Sequence, residues 1–172
     1  MSKNNKKAIF KNTKGFSLIE LLVVLSIVSI LVAIVVPGLM GVKERSRKGA
    51  VSRAGSAAEF ELQAWLLSAV KGNSLTEVDS DGNGIINNSD ANNFTLLQDL
   101  NIPNQFCQRY INARWLTNPE LSPWEATTSL WIANSPQPGK ISCTHAPGGR
   151  IISLSAQDNN GFVFYTKLIN AE

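Results

Sequence analysis

The sequence predicts an α+β chain: one long N-terminal helix, membrane-spanning and then amphipathic, packed on a small antiparallel β-sheet head. Three observations predict it. Residues Leu21 to Val42 form an apolar run without a charge. Behind that run, apolar residues recur at helical spacing as far as Ala69. The last third of the chain breaks into short apolar runs punctuated by Gly, Pro, Asn and Asp, the pattern of strands and turns.

A chain of 172 residues suffices for one ordinary domain. Its 44% apolar content and low charged fraction exclude a disordered acidic segment. Two cysteines are too few for a zinc cage. The single histidine, His145, is a poor basis for a metal centre or a Ser-His-Asp triad, and it reads as a surface or turn residue. No nucleophile constellation is present, so the chain is not read as an enzyme.

The net charge of +3 is unevenly laid out. Lys3, Lys6, Lys7, Lys11 and Lys14 fall in the first fifteen residues, with no acid among them. Lys43 to Arg53 holds five bases and one acid. From Ala54 onward six bases face eleven acids, a balance of −5, which disfavours nucleic acid as a partner of the body.

Residues 1–15 are thus a basic leader, and residues 16–42 an apolar helix. The 22 charge-free residues from Leu21 would rise ~33 Å, about the thickness of a bilayer's hydrocarbon core. A secretory signal peptide shares this order of parts, but its apolar region is only about 7–15 residues long and ends in a small-residue cut site. A plain membrane anchor leaves Glu20 unexplained, because an acid at the edge of an apolar run is costly unless it snorkels or pairs.

The segment Lys14-Gly15-Phe16-Ser17-Leu18-Ile19-Glu20-Leu21-Leu22-Val23-Val24 resembles the class III leader of type IV pilins and type II secretion pseudopilins. The shared pattern is a short basic leader ending in Gly, then Phe, then an acid on the fifth residue of the mature chain. Pro37 fits the proline these proteins tend to carry about twenty residues into the mature helix. The resemblance implies cleavage between Gly15 and Phe16 by a prepilin peptidase and methylation of the new Phe16 amine. It also implies a homo-oligomeric helical filament assembled with other pilins. The chain would be a single-pass inner-membrane protein before assembly, and part of an extracellular pilus or a periplasmic pseudopilus afterwards. Glu20 would pair with the N-terminal amine of a neighbouring subunit and fix the axial register, since an unpaired charge in the apolar filament core is expensive.

Residues 43–72 continue the helix amphipathically. Val51, Ala54, Ala58, Leu62, Trp65 and Ala69 form one stripe, with Glu59, Glu61 and Gln63 off it. Lys71 and Gly72 supply a C-terminal stop. One helix from Phe16 to Lys71 is expected, interrupted at Pro37, Gly38 and Gly41, either as a kink or as a point that bends on packing. The collar of Lys43, Arg45, Arg47 and Lys48 suits lipid headgroups before assembly, or a solvated helix face.

Residues 73–172 form the head. Its first segment, Asp79-Ser80-Asp81-Gly82-Asn83-Gly84-Ile85-Ile86-Asn87-Asn88-Ser89-Asp90, fits the EF-hand calcium loop and resembles the calcium repeats of dockerins. Asp79, Asp81, Asn83, Asn87, Asp90 and the Ile85 carbonyl could turn oxygens toward one Ca2+, with Gly84 making the sharp turn and Ile86 pointing into the core. Asp90 stands where a bidentate Glu is usual, which shortens the reach. An Asn/Gly-rich turn needing no metal is the alternative, but every ligand position is filled, which favours calcium.

A short helix is expected over Asp90 to Leu100, with Phe94, Leu97 and Leu100 on one side. Asn101 to Pro123, dense in Asn and Pro, reads as mostly loop. Strands are expected at Leu130–Ala133, Lys140–Cys143, Ile151–Ala156 and Phe162–Ile169, the last two joined by a turn at Asn160-Gly161. Cys107 and Cys143 would form a disulfide in an exported body, tying the central loop to the sheet, with a pair of buried thiols as the alternative. Trp65, Trp115, Trp124, Trp131, Tyr110 and Phe106 are expected between helix and sheet.

Three functions compete: a type IV pilus subunit, a pseudopilin of a type II secretion system, and a calcium-dependent hydrolase or lectin on a membrane stalk. The shared N-terminal motif does not separate the first two. Calcium directly after the long helix favours the pilin, because major pseudopilins carry theirs late in the head. The third lacks a catalytic pair.

Overall fold

The structure, a computed structural model, describes residues 15–71, 79, 81, 83–91, 94–133 and 135–171. Two compact units divide the chain between Lys43 and Glu44. A single helical element, α1 (Leu18–Lys71), supplies residues to both. The leader up to Lys14 and the expected stop at Gly72 lie outside the described residues.

In the N-terminal unit, every described residue from Gly15 to Lys43 is exposed. The helix is long and apolar enough to cross a membrane: an 18-residue window has mean hydropathy 3.1, and none of it is buried. Its two internal hydroxyls are satisfied locally. Ser26 Oγ donates to the Val23 carbonyl and Ser29 Oγ to that of Leu25, both at 2.7 Å. The helix needs no outside partner for them in an apolar medium. Pro37 lies inside α1, whose helical assignment continues through Gly38 and Gly41. A proline forfeits one backbone hydrogen bond, and the apolar turns on either side carry the rest of the ladder.

In the second unit, the α1 stripe packs as its spacing predicts. Val51, Ala58, Leu62, Trp65 and Ala69 are buried and Ala54 is half-buried, with Gly55 and Leu66 joining them. Gly55 allows close approach: a Cβ there would lie 2.7 Å from the Tyr165 ring. Beyond the loop come a short 3-10 turn (Asn88–Ala91) and α2 (Phe94–Asp99). The inward residues here are Leu96 and Leu100, whereas Leu97 is 42% exposed; the Phe94 side chain lies outside what the structure describes. The expected helix over Asp90 to Leu100 is thus two shorter pieces among the described residues; Leu100 is buried as expected, and Leu96 takes the inward place expected of Leu97.

Residues 101–123 correct a second expectation. They contain a 13-residue helix, α3 (Gln105–Thr117). The Asn and Pro density that suggested a loop belongs to its ends. Pro103 and Asn104 precede it, with Asn104 left-handed at φ 59, and Asn118-Pro119 follow. Between those ends, buried Phe106, Cys107, Tyr110, Ile111 and Ala113 recur at helical spacing.

The sheet has four strands in sequence order: β1 (Trp131–Ile132), β2 (Ile141–His145), β3 (Ile151–Gln157) and β4 (Val163–Asn170). β2 to β4 are antiparallel, as expected, but β1 runs parallel to β2, so the sheet is mixed. Ile141, Cys143, Ile152, Leu154, Ala156 and Ile169 are buried in the core with the α1 stripe and α3. The Cys107–Cys143 disulfide forms across a Cα separation of 5.6 Å and joins α3, not a loop, to β2. His145 ends β2 and is buried, 6.0 Å from the Phe106 ring centroid. It is therefore a core residue, placed there by the inward alternation of Ile141 and Cys143. Among the aromatics, Trp65, Trp131, Tyr110 and Phe106 are buried and Trp124 is half-buried. Trp115 is 43% exposed, because it falls on the outer side of α3.

Candidate functional site

The N-terminal motif is an ordered helix start. Gly15, Phe16 and Ser17 are exposed and lie ahead of the first turn. The Glu20 Oε2 accepts from the backbone N–H of Ser17 at 2.9 Å. Ser17-Leu18-Ile19-Glu20 is the S-x-x-E pattern of a capping box, in which the acid reaches back to satisfy a donor at the helix start. The pattern is legible in the sequence, where the charge of Glu20 in an apolar run masks its role as a cap. Glu20 therefore already has a local role, beside the residue that would carry the new amine after cleavage. Pro37 is exposed within α1 and away from this start.

The acidic loop brings three of its expected ligands together. One carboxylate oxygen from each of Asp79, Asp81 and Asp90 lies within 4.8 Å of the others. Asp79 and Asp90 are buried and Asp81 is exposed. Backbone amides hold the cluster in shape. Gly84 N donates to Asp79 Oδ2 at 2.7 Å, Asn83 N to Asp81 Oδ1 at 3.0 Å, and Asn87 N to Asp90 Oδ2 at 2.7 Å. Gly84 is left-handed at φ +84, as the turn requires, and a Cβ there would meet Leu116 of α3 at 2.8 Å.

The remaining expected ligands are engaged differently. Asn83 Oδ1 accepts from Ile85 N at 2.7 Å and Asn87 Oδ1 from Ser89 N at 2.8 Å, both Asx turns. The Ile85 carbonyl accepts from Asn87 Nδ2 at 3.4 Å. Ile86 does not enter the core. It is 54% exposed and lines an open cleft of about 480 Å³ with Phe60, Trp65 and Tyr110. Arg109 was missed in the sequence: its Nη1 donates to the Asp81 carbonyl at 2.9 Å and its Nε pairs with Asp99. Only a reading of residues 105–117 as helix would have shown that Arg109 faces the loop.

Among the described residues, polar fastenings join α1 to the rest of the head at three levels. Lys48 Nζ donates to Asp158 Oδ2 at 2.7 Å and lies 5.6 Å from the Phe164 ring centroid, while Trp124 Nε1 donates to Glu44 Oε2 at 3.0 Å. The Lys48 hydrogen bond holds the Asp158 carboxyl below the usual carboxylate range. Farther along, Glu59 accepts from the Tyr165 hydroxyl and pairs with Lys167 at 3.0 Å. Burial, then the Glu59 contact, pushes the Tyr165 hydroxyl up to about 12. At the far end, Tyr110 Oη donates to Glu61 Oε2 at 2.7 Å, and Arg114 pairs with Glu61 and with Glu120 while lying 4.9 Å from the Trp131 ring centroid.

Comparison with known proteins bears on the N-terminal segment. The prokaryotic N-terminal methylation motif matches residues 10–36. The chain is similar to the type IV wide pilus major component PilA4 of Thermus thermophilus, at 34% identity over 70 residues. That match covers 41% of this chain and 45% of the relative, so the chain spans less than half of the protein it resembles. No solved structure matches. The capped start of an exposed apolar helix thus carries the prokaryotic N-terminal methylation motif, and part of the chain is similar to a type IV pilus component.

Proposed function

We propose that the chain is a structural subunit of a type IV pilus. It is held in the inner membrane by α1 as a precursor, cut between Gly15 and Phe16 by a prepilin peptidase, methylated on Phe16 and assembled through its helix into a filament. The observation that carries this reading is the wholly exposed apolar stretch of α1 behind the methylation motif. Apolar surface on that scale needs lipid or neighbouring helices to cover it. The pilus is favoured over a secretion pseudopilus by the similarity to a pilus component. Mass spectrometry of the protein from cells should find a chain beginning at N-methylated Phe16. A first residue within or after 31–41 would sink the reading. Filaments sheared from the cell surface should contain the chain; its confinement to the cell envelope would favour the pseudopilin.

The acidic loop is proposed to bind calcium. Three carboxylates converge on a turn already closed by a left-handed glycine, and oxygen ligands of that kind suit a hard cation. Asp79, Asp81 and Asp90 would hold the ion, with Asn83, Asn87 and the Ile85 carbonyl joining if the Asx turns open. The ion would supply positive charge that offsets carboxylate repulsion and pins the loop after α1. Binding to the folded state alone stabilises it by about 2.7 kcal/mol at a hundredfold excess over Kd. The protein should melt higher in calcium than in chelator, and Asp81→Ala should abolish the difference. No calorimetric heat at millimolar calcium, with a melting curve indifferent to chelator, would leave the segment a metal-free turn.

A further inference from the structure

The open cleft between α1, the acidic loop and α3 has an apolar floor and a negative wall. Phe60, Trp65, Ile86 and Tyr110 line it, together with Glu61, Asp79 and Arg114. Phe60, 77% exposed, is the most exposed large apolar side chain described in the second unit. Ile85 and Leu116 are exposed as well, and Leu116 lies against the loop at Gly84. Apolar surface gathered in this way and rimmed by charge marks a contact face.

The charge around the cleft indicates what covers it. Asp79 shares its cluster with Asp81 and Asp90. Arg114 pairs with Glu61 and Glu120, and Arg109 joins Asp99 to the Asp81 carbonyl. Six acids thus stand against two bases, an excess of four negative charges. One bound calcium would lower that excess to two without reversing it. The complement is a basic side chain with an apolar stem. An arginine fits: its stem covers the floor while its guanidinium reaches the carboxylates.

Arg53 of α1 is such a side chain. It is exposed, and no acid pairs with it among the described residues. Gly49 and Ala50, on the turn before it, are exposed and small, so an aromatic ring can come close. Arg53 does not line the cleft of its own chain. It precedes Glu61 by eight residues, about 12 Å of helix. A second copy shifted by that distance along a parallel α1 would bring its Arg53 level with Glu61. A contact of this kind joins two different faces, so it repeats from copy to copy without closing, as a filament requires.

We propose that the cleft seats a second copy of this chain, with the second copy's Arg53 against Glu61 and Asp79 and its Gly49–Ala50 turn against Phe60. This rests on the reading that the chain assembles into a filament.

The test uses the full chain in cells, with Phe60 replaced by photoreactive benzoylphenylalanine. An intact Cys107–Cys143 bridge certifies the fold. After irradiation, filaments sheared from the surface should hold a crosslink from position 60 to residues 46–56 of a second copy. Arg53→Glu sets a like charge against the carboxylates and should lower the yield per chain at least about tenfold, whereas Arg53→Lys should keep most of it. Filaments without the crosslink, a crosslink to another part of the second copy, to lipid or to a different protein, or an Arg53→Glu yield equal to that of the parent would each overturn the docking. Absence of the unsubstituted chain from sheared filaments would instead overturn the filament reading beneath it.

Discussion

Gly55→Ala tests how closely α1 approaches the sheet. The added Cβ would lie 2.7 and 2.9 Å from two Tyr165 ring atoms, where ordinary contact begins near 3.4 Å. The ring must retreat by about 0.7 Å, and its hydroxyl is anchored on Glu59. Overpacking of this kind costs about 1–3 kcal/mol. Straining or losing a hydrogen bond to a carboxylate adds to that, at most about 1.5–3 kcal/mol. Against these stands the gain from replacing a helical glycine by alanine, about 0.5–1 kcal/mol. Steric cost wins, and a net loss of about 1–3 kcal/mol is expected. Urea unfolding of the head from Glu44 onward measures it, and in a unit of this size each kcal/mol also lowers Tm by about 4 °C. In a Tyr165→Leu background the clash disappears, and Gly55→Ala should then be neutral or stabilising by up to about 1 kcal/mol. Stabilisation by Gly55→Ala in the native background, or equal effects in both backgrounds, would refute the close approach.

Removing the disulfide with Cys107→Ser and Cys143→Ser should cost roughly 3–4 kcal/mol in the chain-entropy model, read from the same urea curves; an unchanged midpoint would contradict it. The Lys48–Asp158 pair should lose its contribution as pH falls. The folded carboxyl is depressed, so its stabilisation is complete above the unfolded value near pH 4 and disappears as pH drops through the lower folded value. Asp158→Asn should flatten that part of the pH–stability profile. His145 acts at higher pH: burial lowers its proton affinity, so the head should weaken as pH falls below about 6.5, and His145→Phe should remove the weakening unless overpacking obscures it. For Glu20, Gln keeps a hydrogen-bond acceptor for Ser17 N, and Val does not. If charge pairing governs assembly, both Glu20→Gln and Glu20→Val should reduce pilus yield in a shearing assay; assembly by the Gln variant alone would point to helix capping.

The long helix and the strands were legible because their apolar periods are long and uncontradicted. From Val51 to Ala69 every stripe residue faces inward, and β3 alternates as written. The α3 helix was not legible from composition, since Asn and Pro at its ends outweighed the stripe of Phe106, Tyr110 and Ala113. The parallel pairing of β1 with β2 was not legible, because the connection from Ala133 to Lys140, with Pro138-Gly139, reads as a turn between antiparallel strands. At the acidic loop the residue types named the three carboxylates that converge. They could not reveal that the two asparagines turn their oxygens to the loop's own amides, or that Ile86 faces outward. The asparagine turns are local bonds that compete with a ligand role, whereas Ile86 lines a cleft with Tyr110 and Arg114 of α3.

The polar fastenings from Glu44 to Glu61 are spread over about 26 Å of α1. A pull along the helix axis would therefore meet them side by side, in shear, together with the packed stripe between them. None could be peeled open ahead of the rest, as the rungs of a hairpin pulled apart from one end would be. The disulfide lies off this path, between α3 and β2, so it would keep the remainder of the head folded even if the helix slipped. In a filament that bears tension, the breaking load of each subunit would then depend on simultaneous failure of separated contacts. Reducing agent should change the unfolding of the head far more than the force needed to draw the helix from it.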